Sequence, residues 1–344
     1  MDEASKTPRG RRPTIADVAR LSGVAPVTVS RALNLPDLVN GETRQRVFDA
    51  VSQLGYQANT AARVLAGSRW GTVGVQVPSL DHIMLRHQLQ TFEAELRARN
   101  ISLLISASNY DAVAEKEVIE AFLARGVDAI LLTHLEEPDQ IYDLMEARGV
   151  PTVMMASPGT PRAIRKIGYD DAAAMGEVAD HLVGLGHRRI SMLGDSRAQL
   201  NGAARVNGLA ARLRHHGLDL PDHRVIRCGH EEAEAKAGFD GLMDVPVPPT
   251  AMVCGNDALA LSALARAQER GIAVPRQLSV TGFDGIEVTG HPLISLSTIR
   301  APWRRLGSGA AVMLLDAIED NTPQNVTLPV EFIARGSTAP PPAE

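Results

Sequence analysis

The sequence predicts two fold classes in one chain, a small all-helical head followed by an α/β body with two doubly wound parallel sheets. In the head, residues 13–58, apolar side chains recur at helical spacing. In the body, from residue 71 onward, short apolar runs alternate with amphipathic stretches of helical period. This alternation occurs in two successive series, and alternating βαβ units predict parallel sheets covered by helices on both faces.

The head begins with a pattern typical of two short helices joined by a tight turn. Thr14 is placed to cap the first helix in a capping box with Asp17. Gly23 supplies the positive φ that the turn needs, and Pro26 suits the first turn of the second helix. Two helices joined in this way form a helix-turn-helix, whose second helix enters the major groove of DNA. On these residues alone an ordinary helical hairpin remains an equal alternative.

The continuation of the head and its charge favour the DNA-binding alternative. Asn40 can cap a third helix over 42–54, and an Ala-rich segment follows at 59–66. Residues 1–70 contain ten Lys/Arg against six Asp/Glu, a net charge of +4. Since the whole chain has a net charge of −5, residues 71–344 carry −9. A basic head on an acidic body is the distribution expected if only one end contacts phosphates.

Length and composition exclude several other classes. The 344 residues allow two or three domains, and 44% hydrophobic residues suffice for packed cores. No apolar run approaches the roughly 18–20 residues of a membrane span, and residues 1–12 read as a disordered leader without a secretory signal. Cys228 and Cys254 have no disulfide or metal pattern, and Cys254 is predicted in the core. We therefore expect a cytoplasmic protein without cofactor or metal.

The predicted elements of the body fall into two series. The first has strands at 72–77, 101–106, 128–132 and 151–155, with helices at 83–98, 112–125 and 138–148. The second has strands at 189–194, 224–228, 250–255 and 278–283, with helices at 172–185, 201–216, 231–243 and 257–270. In such folds ligands bind at the carboxyl ends of the strands, here in a cleft between two subdomains.

Five stretches of the head occur together at ungapped spacing: TIADVARLSGV, TVSRALN, ETRQRV, LGY and AARVLAG. With them the chain resembles the lactose-repressor (LacI/GalR) family of bacterial transcription regulators. The resemblance extends over about residues 13–338, ending in PVEFIARGST. It implies a body similar to periplasmic sugar-binding proteins, with strands crossing between the subdomains near 166–170, 295–299 and 325–328.

The resemblance also implies domain boundaries. The helix-turn-helix domain is expected at 13–58 and a hinge helix with its linker at 59–70. The first, N-terminal subdomain of the body is expected at about 71–167 and 298–325, and the second, C-terminal subdomain at about 168–297 and 326–338. A tail is expected at 339–344.

Roles in DNA binding follow by position on the resembling helices. Pro26, Val27 and Thr28 lie on the leading turn of the recognition helix, and Arg31 can reach a guanine edge with two hydrogen bonds. Val29 is predicted in the core instead. The remaining candidates are phosphate contacts, Thr14, Ser30 and Asn34, and hinge residues, Asn59, Arg63 and Leu65, of which Leu65 is the implied minor-groove wedge. Ala25 and Ala58 depart from the capping Ser and the Pro usual in the family.

The effector site is implied by the same resemblance. Arg205, Asn256 and Asp284 match positions where the family holds sugar-like effectors, and a guanidinium fork with amide and carboxylate acceptors suits a polyol or sugar acid. Each has an ordinary alternative: a surface ion pair for Arg205, a helix cap for Asn256 and a turn for Asp284. The other candidates are weaker: Asn201, Tyr169, Met84 and Arg86.

These observations predict a sequence-specific transcription regulator, a repressor, that binds a pseudo-palindromic operator as a homodimer under the control of a small sugar or sugar acid. A nucleobase- or phosphosugar-responsive regulator of the same fold is the alternative, and a solute-binding receptor is a remote one because it would not carry the head. No Walker-A run, GxGxxG or HExxH occurs, so an enzyme is not expected.

Overall fold

The chain forms two compact units, which are divided between Trp70 and Gly71. The computed structural model describes residues 13–56, 69–81, 83–133, 138–155, 164–196, 199–229, 231–321 and 324–343. The predicted leader, the hinge residues Asn59, Arg63 and Leu65, and Ala58 lie outside the described residues, as do the side chains of Asn34 and Asn201.

The head consists of three helices around a small apolar core. They are α1 (Ile15–Ser22), α2 (Pro26–Asn34) and α3 (Gly41–Leu54), with a 3-10 turn at Pro36–Leu38. Gly23 ends α1 with φ +68°, and the Asn40 side chain accepts a hydrogen bond from Glu42 N, so both predicted helix ends are confirmed. The buried core residues come from all three helices: Val18, Ala19, Val29, Ala32, Val47 and Ala50.

The first sheet of the body has six parallel strands in the order β11-β5-β4-β3-β1-β2. Its strands are β1 (Thr72–Val77), β2 (Ser102–Ala107), β3 (Ala129–Leu132), β4 (Thr152–Met155), β5 (Arg165–Gly168) and β11 (Val326–Thr327). The helices of this subdomain are α4 (Ile83–Arg97), α5 (Ala112–Ala124), α6 (Pro138–Arg148) and α11 (Trp303–Ile318). Strand β1 lies centrally between β2 and β3, because its apolar TVGV run is buried on both faces.

The second sheet also has six strands, in the order β12-β10-β9-β8-β6-β7. Its strands are β6 (Ile190–Asp195), β7 (Val225–Cys228), β8 (Ala251–Cys254), β9 (Ser279–Asp284), β10 (Ser297–Arg300) and β12 (Glu331–Ile333). Its helices are α7 (Asp171–Gly184), α8 (Gln199–His215), α9 (Glu232–Met243) and α10 (Asp257–Glu269). Every described strand is parallel to its neighbours except β12, which pairs antiparallel with β10, so the prediction of parallel sheets needs correction at this edge.

The chain passes between the two subdomains three times. The crossings follow β5, β10 and β11, after Gly168, Arg300 and Thr327. The expected boundaries at 297/298 and 325/326 are therefore displaced: residues 298–300 pair with β9 in the second sheet, and β11 pairs with β5 in the first. Each of these short segments belongs to the sheet with which its backbone forms hydrogen bonds. The apolar pattern of a segment does not show which of the two sheets that will be.

The C-terminal residues are bound to the second sheet. Ala339, assigned from sequence to the tail, donates from its backbone N to Ser279 Oγ at 3.1 Å, and its carbonyl lies 2.9 Å from Nε2 of the buried His187. Ser337 Oγ donates to the Val280 carbonyl at 2.6 Å. Among the described residues, no helix is long and apolar enough to cross a membrane and no group of His, Cys, Asp or Glu could hold a metal ion.

Both cysteines are buried thiols. Burial raises the pKa of Cys228 to about 11 and also raises the pKa of Cys254. Cys254 lies in β8 within an apolar cluster of the second subdomain, as predicted. A raised pKa keeps a thiol protonated and unreactive near neutral pH.

Candidate DNA interface and effector cleft

Helix α2 presents two different faces. Val29 is fully buried in the head core, whereas Val27, two residues earlier, is 57% exposed. Pro26 and Arg31 are also exposed, and Thr28 and Ser30 are half-buried. Because residues three to four positions apart share a helical face, Val27 and Arg31 lie along one exposed stripe. This stripe, Val27 with Arg31, is the part of the head that can meet base edges.

The start of α2 is held by its backbone alone. Ala25 occupies the N-cap and offers no side-chain acceptor, and the amides of Thr28 and Val29 both donate to the Ala25 carbonyl at 2.9 and 3.1 Å. Pro26 at the first helical position has no N–H that would need a partner. The departure noted in the sequence at Ala25 thus leaves this helix start without a side-chain cap.

Thr14 is engaged in the cap of α1. Its backbone N and its hydroxyl both donate to Asp17 Oδ2, at 2.9 and 2.7 Å, and the other oxygen of Asp17 forms a 2.7 Å ion pair with Arg20. A hydroxyl has a single proton to donate. Thr14 would therefore have to release Asp17 in order to donate to a phosphate.

In the body, polar side chains gather where strands of the second sheet end. Asp195 and Asp284 are the last residues of β6 and β9, and Asn256 follows β8. Arg205 comes from α8 and donates to the Gly255 carbonyl after β8, and Tyr169 follows β5 at the first crossing. We call the interacting residues Tyr169, Asp171, Arg205, Phe283 and Asp284 the Arg205 cluster. Arg205, Tyr169 and Asp284 are brought together as the sequence predicts.

The Arg205 guanidinium is buried and held on three sides. Its Nε donates to Asp171 Oδ1 at 2.7 Å, one terminal nitrogen donates to the Gly255 carbonyl at 2.6 Å, and the other lies 3.4 Å from the Tyr169 hydroxyl. The guanidinium carbon stacks 3.6 Å from the centroid of the Phe283 ring. The ordinary alternative, a surface ion pair, is therefore wrong, because the pair with Asp171 is buried.

Asp284 is buried beside this guanidinium in an unusual backbone conformation. Its φ is +123°, a region that non-glycine residues rarely adopt, and Gly285 follows with φ +72°. Burial raises the pKa of Asp284 well above its ordinary value, while the nearby Arg205 guanidinium lowers it. Strain and a raised pKa together are common at functional sites.

Asp257 stabilises the turn that follows β9, next to Asp284 and Gly285. One carboxylate oxygen accepts from the Thr298 hydroxyl at 2.6 Å, and the other accepts from Ile286 N at 2.9 Å. Burial raises the pKa of Asp257 to about 6, although these hydrogen bonds lower it. Asp257 thereby connects the start of α10, the turn after β9 and strand β10.

Asn256 is the cap of α10. Its side-chain oxygen accepts from Leu259 N at 2.8 Å, so the capping alternative is confirmed. Its amide nitrogen also donates to Asp195 Oδ2 at 3.2 Å.

Of the weaker effector candidates whose side chains are described, Tyr169 belongs to the Arg205 cluster, whereas Met84 and Arg86 lie on another element. Met84 is half-buried and Arg86 is exposed on α4, in the first subdomain. Within the described residues, no hydrogen bond or ion pair joins either side chain to the Arg205 cluster. Asn201 lies one turn before Arg205 on α8, and its side chain is outside the described part of the chain.

Sequence reasoning missed four residues of this region. They are Asp171, Asp195, Phe283 and Trp303. For Asp195 a signal existed, because it directly ends an apolar strand at the edge where ligands bind. Asp171 also follows a strand closely. Phe283 reads as a core residue, and Trp303 lies in a segment where no element was predicted.

Comparisons with known proteins agree with both regions. Residues 14–59 match the model of bacterial regulatory proteins, lacI family, and residues 179–338 match a periplasmic binding protein-like domain. The chain is 33% identical over 334 residues to the HTH-type transcriptional regulator GntR of Pseudomonas aeruginosa, covering 95% of this chain and 96% of GntR.

Two solved structures of transcription regulators have the same fold. The lac repressor dimer bound to operator and the anti-inducer ONPF superposes with a TM-score of 0.87 at 26% identity, covering 96% of this chain and 100% of that one. The transcriptional regulator CelR in complex with cellobiose superposes with a TM-score of 0.71 at 26% identity, covering 95% and 100%. These relatives are transcriptional regulators. The chain belongs to the lacI family of bacterial regulatory proteins and is a DNA-binding transcription regulator.

Proposed function

We propose that this protein is a repressor that binds a pseudo-palindromic operator as a homodimer and is controlled by a small sugar or sugar acid in the cleft of the body. The observation that carries the effector part is the Arg205 guanidinium, fixed by Asp171, the Gly255 carbonyl and Phe283 beside buried Asp284.

The exposed stripe of α2 supports the DNA part. Val27 offers an apolar contact for a thymine methyl group, and Arg31 offers two parallel donors for a guanine edge. One short recognition helix reads few base pairs, so two copies related by a two-fold axis are needed for a specific site. The lac repressor structure is named as a dimer bound to operator, which agrees with this proposal.

The donors of Arg205 support a polyhydroxylated ligand. A guanidinium has five N–H groups, and the three hydrogen bonds within the protein use one on each nitrogen. Counting only partners in the described part of the chain, one donor on each terminal nitrogen remains for a ligand, next to the carboxyl group of Asp284 as an acceptor. Adjacent donors and acceptors of this kind suit the neighbouring hydroxyl groups of a sugar, and the CelR structure is named as a complex with a sugar, cellobiose.

Control requires the effector to prefer one of two states of the protein. A ligand that contacts both subdomains across the cleft binds one relative arrangement better than the other. A coupling free energy of about 1–3 kcal/mol is typical and changes operator affinity about 5–150-fold. Such a change is readily measured.

The experiment has two stages. Operator sites are first selected from random DNA with the full-length protein, and transcription from a promoter overlapping the selected site should fall when the protein is added. A thermal-shift screen of neutral sugars, sugar acids and nucleobases then identifies the effector, because a ligand that binds only the folded state raises the melting temperature.

A matched pair of variants locates the binding site. Asp284→Asn should weaken binding of the identified sugar at least tenfold, since one carboxyl oxygen that can accept from a buried ligand hydroxyl is replaced by an amide NH2, which cannot accept. Asp180→Asn, a carboxylate on α7 paired with Arg212, should leave sugar affinity unchanged. Equal affinity in both variants would place the effector elsewhere, and nucleobases as the sole hits would exclude the sugar assignment.

A further inference from the structure

The second crossing, Ala301–Trp303, links the two subdomains next to the Arg205 cluster. Strand β10 ends at Arg300, and Trp303 is the first residue of α11 in the first subdomain. Trp303 is half-buried, and only one other tryptophan, Trp70, occurs in the chain. Neither composition nor spacing marks this residue in the sequence.

Trp303 holds the backbone of Asp284. The indole Nε1 donates to the Asp284 carbonyl at 2.8 Å, and Ala301 N donates to the same carbonyl at 3.2 Å. This carbonyl belongs to the residue with φ +123°. The strained end of β9 is therefore fixed by two donors from the crossing that leads into the other subdomain.

Trp303 also contacts the first crossing. Its ring packs edge-on against Tyr169 with 5.9 Å between centroids, and Tyr169 packs against Phe283 at 5.9 Å. The Arg205 guanidinium in turn stacks on the face of the Phe283 ring. A continuous series of contacts thus runs from Arg205 through two aromatic rings to the start of α11.

Helix α11 is closely attached to the first subdomain. Gly307 lies so near the Gln88 carbonyl of α4 that a Cβ there would collide with this backbone group, and a Cβ at Gly309 would meet the terminal methyl group of the Ile167 side chain in β5. Thr91 of α4 donates to the Arg304 carbonyl at 2.9 Å. These close contacts oppose any shift of α11 relative to α4, so a displacement of Trp303 is transmitted to the first subdomain.

We propose that Trp303 is a positioning residue that couples effector occupancy at Asp284 to movement of the first subdomain. The proposal rests on the effector control proposed above. A ligand that engages the Asp284 carboxylate shifts the turn after β9, the indole follows the carbonyl to which it is bonded, and α11 moves with the indole. Trp303 itself determines neither the affinity for the effector nor the contacts with DNA.

The test separates coupling from binding in the full-length protein. Affinity for the selected operator is measured by fluorescence anisotropy with and without a saturating concentration of the sugar found in the screen. In the wild-type protein the ratio of the two affinities should lie at about 5–150. In Trp303→Phe, which keeps a ring and loses the indole donor, the ratio should fall below about twofold. Sugar affinity should stay within about threefold of wild type.

A matched control accounts for lost packing alone. Phe239→Leu removes a fully buried ring of α9 that packs in a separate apolar cluster of the second subdomain. It should reduce stability and keep the wild-type ratio of operator affinities. A merely structural role of Trp303 would give the same result for both variants.

The hydrogen bond itself can be tested without any ligand. In a Trp70→Phe protein labelled with 15N-tryptophan, the single indole N–H should exchange slowly with solvent, and rapid exchange would overturn the proposal. A ratio retained in Trp303→Phe would also overturn it. If no sugar in the screen changed the operator affinity of the wild-type protein, the proposed effector control would be overturned, and the coupling with it.

Discussion

The recognition helix of the head and the Arg205 cluster of the body present their functional side chains in opposite ways. On α2, Val27 and Arg31 point away from the core and are exposed. In the body, Arg205, Asp171 and Asp284 are buried, and Arg205 and Asp171 form an ion pair. A side chain on the head can thus be changed with little effect on folding, whereas a side chain of the cluster contributes to folding and function together.

The largest effect on stability is expected from removal of the buried Arg205 guanidinium. Arg205→Ala should lower the free energy of unfolding of the body by about 3–5 kcal/mol, because the Asp171 carboxylate is then left buried without its counter-charge. Urea unfolding of the full-length protein, followed by circular dichroism, measures this loss. Combining Arg205→Ala with Asp171→Asn should recover part of the stability, since the isolated charge is gone. A loss below about 1 kcal/mol in the single variant would show that water reaches Asp171.

This expectation also explains why Asp284→Asn is the cleaner variant for locating the effector. Truncation of Arg205 changes stability and ligand contacts at once, so a lost response would have two causes. The substitution at Asp284 keeps the size of the side chain and removes a charge that burial already disfavours.

Much of the fold was predictable because its signals are local. Each strand predicted in the two series of the body is present within one residue at its start, since buried parallel strands read as continuous apolar runs. The short strands β5, β10 and β11 lie where the resemblance implied three crossing strands, near 166–170, 295–299 and 325–328, whereas no apolar run predicted them and β12 was not predicted as a strand at all. They are two to four residues long, and their pairing depends on contacts between distant parts of the chain.

The head offers a matched pair of valines that tests the two faces of α2. Val29→Ala should destabilise the head by about 2–3 kcal/mol, because two buried methyl groups are lost and a cavity remains. Val27→Ala should change stability by less than about 0.5 kcal/mol, as expected of an exposed position, and should weaken operator binding. Amide exchange of α1 and α3 measures the first effect and operator titration the second. Equal destabilisation by both variants would contradict the assignment of faces.

The two regions also differ in how far their roles could be predicted. Helical period separates Val27 from Val29 directly, because one face must be buried. No such period applies in the body, where Arg205 and Asp284 come from a helix and a strand end far apart in sequence. The partners Asp171 and Phe283 become evident only when the chain is folded. Sequence alone could not decide whether Asn256 was a cap or a ligand contact.

Arg31 tests the exposed stripe at the level of base recognition. Arg31→Ala should lose about 1–3 kcal/mol of discrimination at one base position of each half-site, which corresponds to the loss of a bidentate pair with guanine. Arg20→Ala, an exposed arginine on α1 paired with Asp17, should leave the sequence preference unchanged. Both variants are compared by operator competition at fixed salt, since phosphate contacts depend on salt. If Arg31→Ala weakened all sequences equally, Arg31 would be a phosphate contact.

The smallest expected effect decides between two roles of one residue, Asn256. Asn256→Ala should cost about 1 kcal/mol of stability because the Leu259 amide loses its side-chain acceptor. Asn256→Ser should restore that stability, since serine is an equally good N-cap, but it lacks the amide nitrogen that donates to Asp195. Calorimetry with the identified sugar then separates the roles. Wild-type affinity in Asn256→Ser would make Asn256 a cap alone, whereas a stable variant with at least tenfold weaker binding would show that its amide also contacts the effector.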